Sequence, residues 1–344
     1  MIKIKLYELE VHRNECAFRP YLWAHNVLRD VGIEFTQGDS YDYAWVAQAS
    51  FLNKKVSLKE SVDVGLEFLS KITGDYMLLD GQDSTSLIGA YEVFKDSNAL
   101  LLMKNSLLKD RSLYKQKWAL GRYYWGEGEY ALPDFDEYSD RIVLSGTNWI
   151  FTHWAGIQKQ WYDINRPKTY DVSAMFQYPS VKKSFEHGIC QSDYYDAHRK
   201  PAIEALEKLS NVNIAKLENG VRVPLQEYHQ KMFNSKILFT PIGYGEIFPR
   251  DLEAAMYGSV LLKVDMSYID TTPDVWIDGE TYIACKRDFS DLNEKVMKIL
   301  GNYENYHYII ENARKKFQEE MSYEKLAIHL HKMFRNLTNI ETEE

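Results

Sequence analysis

The stretch ILFTPIGYGEIFPRDLEAAMYGSVLLKVD, Ile237 to Asp265, holds the residue types and spacing with the most chemical content. It reads as a strand, a loop carrying Gly243 and Gly245, a helix from Pro249, and a second strand from Val260. Proline suits the first helical position, since it has no N–H to leave unpaired and its φ is already helical. The free N–H groups of the first turn then point into the loop together with the positive end of the helix dipole, a setting that suits a phosphate. Glycines let the backbone approach such an anion closely. Arg250 can add a forked, charge-assisted contact to a diphosphate. Glu253, one turn further along, can accept from both hydroxyls of a ribose whose phosphates occupy the helix end. An ordinary strand–helix turn with an exposed Arg and Glu would use the same residue types. Glycines, Arg and Glu gathered on one helix turn are what favour a ligand.

The elements that must position this segment alternate along the chain. Strands are expected at Ile2–Tyr7, Tyr43–Ala47, Tyr76–Leu79, Leu100–Met103 and Arg141–Leu144, with helices at Pro20–Val31 and Leu58–Ile72. Ser106–Tyr138, dense in Tyr, Trp, Lys and Asp, reads as a long loop with turn signals at Gly126, Gly128 and Pro133. A second block has strands at Val172–Gln177, Val212–Ala215, Lys236–Thr240, Val260–Val264 and Thr281–Ala284. Helices separate them at Ala197–Leu209, Tyr228–Asn234, Pro249–Tyr257 and Leu292–Leu300. The tail Asn305–Leu337 is amphipathic, with Ile309, Ile310, Ala313, Phe317, Leu326, Leu330 and Phe334 at helical spacing. This alternation predicts an α/β fold of two Rossmann-like, doubly wound domains facing a central cleft, followed by C-terminal helices. The expected division is 1–160, 161–305 and a helical tail at 306–344 that packs back on the first domain.

Glu253-Ala254-Ala255-Met256-Tyr257-Gly258 resembles the E-A-(M/A)-x-x-G helix of retaining GT-B glycosyltransferases, in which a Glu-x7-Glu signature ends on the ribose-holding acid. The first Glu of that signature, which meets the donor sugar, would fall on Gly245. Here Glu246 stands beside it, with six residues between the two acids. The wider pattern is similar to glycosyltransferase family 1/4-like and CgeB-like groups, over roughly residues 170–300. The resemblance implies a glycosyltransferase that moves a sugar from a nucleoside-diphosphate donor to a hydroxyl of a glycan or glycoconjugate without a metal. Gly243, Gly245, Glu246, Arg250 and Glu253 would then bind the donor. By the same likeness Arg199 or Lys200, with His198 as helper, would neutralise the diphosphate leaving group. One of Lys263, Asp265 and Met266, at a strand end that should face the cleft, would touch the donor unless it only caps the strand. The alternatives are a sugar-nucleotide epimerase on the same scaffold and a non-catalytic carbohydrate-binding or assembly protein.

Transfer to a hydroxyl needs a base, and two strand ends in the first half carry suitable groups. His12-Arg13 follows the first strand, and Asp80-Gly81-Gln82-Asp83 follows Tyr76–Leu79. Asp83 or His12 is the expected base, with Arg13 and Asp80 on the acceptor side. Turn formation and capping are the competing uses of the two aspartates, as a backbone-bonded loop histidine is for His12. Composition narrows the classes. A net charge of −9, from 41 Lys and Arg against 50 Asp and Glu, makes nucleic acid an unlikely partner. No apolar run approaches a membrane span and the start lacks a signal-peptide core, so a cytoplasmic location is expected. The three cysteines, Cys16, Cys190 and Cys285, form no CxxC pair, and no HExxH spacing occurs, so no metal or other cofactor is expected.

Overall fold

The computed structural model describes residues 1–7, 15–47, 56–82, 84–117, 131–149, 160–178, 191–218, 221–243 and 245–341. Its first half contains β1 (Ile2–Tyr7), α1 (Glu15–Trp23), α2 (His25–Asp30), β2 (Ile33–Thr36), β3 (Tyr43–Ala47), α3 (Leu58–Leu69) and β4 (Tyr76–Asp80). Then come α4 (Ala90–Lys95), β5 (Leu102–Lys104), β6 (Ser106–Leu108) and β7 (Ile142–Leu144). The second half runs β8 (Tyr170–Ala174), α5 (Gln191–Glu207), β9 (Ile214–Lys216), α6 (Leu225–Phe233), β10 (Ser235–Thr240), α7 (Pro249–Met256) and β11 (Val260–Val264). It continues with β12 (Ile269–Thr271), β13 (Ile283–Cys285), α8 (Leu292–Gly301), α9 (His307–Glu320) and α10 (Tyr323–Glu341).

Two parallel sheets result, in the orders β2-β1-β3-β4-β5-β7 and β13-β11-β10-β8-β9. Side chains alternate between the faces with the strand period of two. Trp45, Ala47, Met77 and Leu79 face one core while Ala44, Val46, Tyr76 and Leu78 face another. In the second sheet Leu238 and Leu261 belong to the first of these cores, whereas Ile237, Phe239, Val260 and Leu262 build a third. The first core is therefore shared, and it continues into Ala313, Phe317, Leu326, Leu330 and Phe334 of α9 and α10. Both sheets are buried on two faces, which is why their strands are nearly continuous apolar runs.

Each sheet reverses its winding once. In the first the chain departs to opposite sides of β1, placing the switch between β1 and β3. In the second the switch lies between β8 and β10. Loops at the carboxyl ends of strands around such a point splay apart and leave a crevice. The two crevice edges face each other, because the loop after β4 touches the loop after β10 through Thr85 and Glu246.

Several features differ from the sequence expectation, among them β2 and α4, which it did not contain. Within Ser106–Tyr138, Ser106–Leu108 is a strand that pairs antiparallel with β12 of the second half, Leu108 opposite Ile269. Its three residues give too short a pattern for periodicity to register. The C-terminal helices are present as expected, two of them, divided at Met321–Ser322. Pro20 lies inside α1 rather than opening a helix, and α2 follows after Ala24.

Candidate functional site

The helix start at the second switch point is built from the inside out. Asp251, at the third position of α7, accepts from the Phe248 N–H (2.8 Å) and from the Thr240 hydroxyl (2.8 Å). It is fully buried beside Lys263 Nζ at 2.9 Å. This ties the end of β10, the loop and the first helical turn into one unit. The Lys263 ammonium balances the charge that Asp251 would otherwise place at the helix start. Burial pushes the Lys263 pKa down, and Asp251 pulls it back up. Lys263 therefore does not line the crevice as expected from its strand-end position; it is fully buried beneath the loop, paired with Asp251. Asp251 was not singled out in the sequence; the available signal was an acid at the third helical position, from which a carboxylate can reach back to the N-cap backbone N–H.

Arg250, half-buried, and Glu253, buried, lie in the first two turns of the same helix. Arg250 is half-buried, donates to the Tyr228 hydroxyl, and keeps a buried Nε–H with no hydrogen-bond partner among the described residues. Tyr228, from α6, in turn donates to Glu253 Oε2 at 3.5 Å. Glu253 is 6% exposed. Burial lifts its carboxyl pKa to about 7, against the opposing pull of Arg250 and the Tyr228 hydroxyl. Beside them His229 Nδ1 shares a 2.6 Å hydrogen bond with the Tyr257 hydroxyl, which locks α6 to the end of α7. Tyr228 and His229 were not singled out in the sequence, where they are two polar positions on an ordinary amphipathic helix.

Arg199 joins the two strands that flank the switch. Its Nη1 donates to the Gln177 carbonyl, just past β8, at 3.0 Å. Its other terminal nitrogen lies against Gly243, just past β10, where a Cβ would come within 2.9 Å of it. The same Cβ would sit 2.3 Å from the Phe248 ring. Gly243 is thus required here for seating Arg199 and Phe248, a requirement separate from the backbone–anion approach expected of it. Gly245 is buried, and its carbonyl accepts from the Gly243 N–H at 3.2 Å. His198 Nε2 accepts from the Ile242 N–H at 3.2 Å, so its proton is on Nδ1 and the ring fastens α5 to the loop. Lys200 points elsewhere, toward Glu204 on the exposed face of α5.

On the opposite edge, Asp80 is fully buried. Its Oδ1 accepts from the Gln82 N–H (2.9 Å) and its Oδ2 lies 3.3 Å from Lys104 Nζ, which also donates to the Gln82 carbonyl (2.8 Å). That arrangement shapes the turn after β4 and withdraws the Asp80 carboxylate from any acceptor, in place of the acceptor contact expected for it. Beyond the turn, the Thr85 hydroxyl donates to Glu246 Oε1 at 3.3 Å across the boundary between the halves. Glu246 is fully buried between Gly245 and α7. His12, Arg13 and Asp83 lie outside the described residues. Among the described residues no three His, Cys, Asp or Glu side chains converge as metal ligands.

No protein-family model matches the chain, and no curated protein matches it either. Solved structures do. An alpha-glucosyltransferase in complex with UDP is 11% identical, covering 98% of this chain and 100% of that one with a TM-score of 0.47. Anabaena Alr3699/HepE in complex with UDP and glucose is 11% identical over 97% and 99% of the two chains, TM-score 0.42. Methanocaldococcus jannaschii UDP-GlcNAc 2-epimerase, in complex with UDP-GlcNAc and UDP, is 11% identical over 88% and 92%, TM-score 0.37. At this distance the likeness carries nothing about substrate or reaction. The fold class is GT-B on its own strand pairing: two doubly wound sheets, facing carboxyl edges, and C-terminal helices.

Proposed function

We propose that this chain is a glycosyltransferase that binds a nucleoside-diphosphate sugar on its second half and an acceptor hydroxyl on its first. The observation that carries the proposal is the set Arg250, Tyr228 and Glu253 at the start of α7, next to a sheet switch point, with an unpartnered Arg250 Nε–H. A guanidinium donor buried without a partner costs free energy unless a ligand oxygen meets it. In this reading the diphosphate rests on the amino end of α7 between Arg250 and Arg199, and Glu253 and Tyr228 take the ribose. The sugar extends toward Glu246, as the Glu253–Gly258 likeness to family 1/4-like enzymes implies.

The chemistry then follows. The acceptor O–H gives its proton to His12 or Asp83, and its oxygen forms a bond to the anomeric carbon as the bond from that carbon to the diphosphate oxygen breaks. The negative charge gathering on the departing diphosphate is met by Arg250, Arg199 and the helix dipole. In the same reading Arg13 would help to bind the acceptor.

Arg250→Ala should weaken binding of the preferred nucleoside diphosphate by about 10- to 100-fold, the size of one charge-assisted contact, with the melting temperature preserved. Calorimetric titration with UDP, GDP, ADP and dTDP measures it, and unchanged affinity would remove the donor site. Incubation with donor alone separates the epimerase alternative, which would return an isomerised sugar nucleotide.

A further inference from the structure

We propose that Thr85 is a positioning residue that orients the Glu246 carboxylate toward the donor sugar, so that the first half helps build the sugar pocket of the second. The inference rests on the donor reading above. In a nucleoside-diphosphate sugar the ribose and the sugar leave the diphosphate from opposite ends. With the ribose at Glu253, the sugar lies at the far end of the diphosphate, where the likeness to family 1/4-like enzymes puts Glu246, next after Gly245.

Glu246 does not stand there alone. Its Oε1 accepts from the Thr85 hydroxyl at 3.3 Å, and both side chains are buried. Thr85 is held in turn. Its carbonyl accepts from the Tyr114 hydroxyl at 2.8 Å, and that hydroxyl accepts from the Leu108 N–H at 3.1 Å. Leu108 is paired with Ile269 in the β6–β12 ladder, which belongs half to each side of the molecule. The path from β12 through Leu108, Tyr114 and Thr85 to Glu246 therefore leaves the second half, crosses the first and returns. Fixing one carboxylate oxygen with a hydroxyl donor sets the plane in which the other can accept a sugar hydroxyl. A carboxylate prepared in this way favours binding, because its orientation is settled before the ligand arrives.

The test uses Thr85→Val, which keeps the shape and removes the hydroxyl, and Thr85→Ser, which keeps the hydroxyl. Calorimetry with UDP, GDP, ADP and dTDP and their glucose conjugates identifies the pair that binds the wild type, and melting temperatures verify folding. For that pair, Thr85→Val should keep the affinity for the free diphosphate within about twofold and lose about tenfold for the sugar conjugate, the scale of one hydrogen bond to a charged group. Thr85→Ser should restore it. Equal weakening for diphosphate and conjugate, or no weakening of the conjugate, would overturn the role of Thr85 while leaving the donor site standing. A wild type that binds none of the eight compounds would remove the donor reading and this inference together.

Discussion

Glu253 shows how a single side chain couples the fold to its chemistry. Its carboxyl is buried against Arg250 and Tyr228, and its pKa is lifted from the ordinary glutamate range to about 7. In the free protein the folded state thus holds this proton more tightly than the unfolded chain. The stability it contributes is complete below about pH 4.5 and is lost as the pH rises through 7. Glu253→Gln should flatten that part of the profile, removing a decline of about 3 kcal/mol between pH 4.5 and 8. Urea denaturation of both proteins at pH 5 and pH 8 measures it; parallel profiles would contradict the buried, uncharged ground state. Arg250 and Glu253 were singled out because their types stand on one helix turn after a glycine loop, and Glu246 only through the likeness to family 1/4-like enzymes; the structure places all three around the start of α7. Tyr228 was not, since its role arises only when α6 packs beside α7, a contact between segments that no local spacing records. Asp80 and Lys263 were recognised as residues at strand ends, and misassigned to the crevice because sequence does not reveal that a lysine one strand away neutralises an aspartate inside.

The element that organises the site is α7. Its amino end is fastened by Asp251 to Thr240 and Lys263, and its carboxyl end by two basic side chains. Lys168 Nζ donates to the carbonyls of Tyr257, Gly258 and Ser235, and Arg314 Nε donates to the Ala255 carbonyl at 2.8 Å. Arg314 places positive charge at that end and complements the dipole, while burial and the nearby Arg166 and Arg314 push the Lys168 pKa down to about 6, so Lys168 satisfies the last carbonyls chiefly as a hydrogen-bond donor. Strand–loop–helix order here was readable from Gly243, Pro249 and Gly258, yet the reason for Gly243 was not. A methyl group at this position would strike the Phe248 ring and crowd Arg199. Gly243→Ala should destabilise the protein by about 1–3 kcal/mol through overpacking and shift Arg199 from its seat. Adding Phe248→Leu should recover part of the loss, read as the denaturation midpoint of the single and double variants. A single variant as stable as wild type would show that the loop yields freely.

At the scale of the molecule, two larger ties among the described residues join the halves, besides the connecting chain and the Thr85–Glu246 hydrogen bond. One is the β6–β12 ladder, reinforced by Arg111 Nη2 donating to Asp270 at 2.7 Å. The other is the pair α9 and α10. Arg314 on α9 grips α7, the Trp149 indole N–H donates to the Ser322 carbonyl at the helix junction, and Phe334 on α10 stacks on Trp45 of the first sheet at 6.2 Å. The alternation of strands and helices made the two sheets legible. The ladder was invisible, since three-residue strands from distant segments carry no pattern of their own. Phe334→Ala should cost about 3–5 kcal/mol, as for other buried aromatics, and leave nucleotide affinity within about twofold. Chemical denaturation and calorimetry give both numbers. A variant that keeps its stability would mean α10 is not a structural part of the first core.

The most direct test of the whole account is a structure of the protein crystallised with the nucleoside diphosphate that it binds best. The account predicts diphosphate oxygens within hydrogen-bond distance of Arg250 Nε and the first-turn N–H groups of α7, with both ribose hydroxyls on Glu253. A nucleotide bound elsewhere, with Arg250 Nε still unmet and Glu253 untouched, would contradict it.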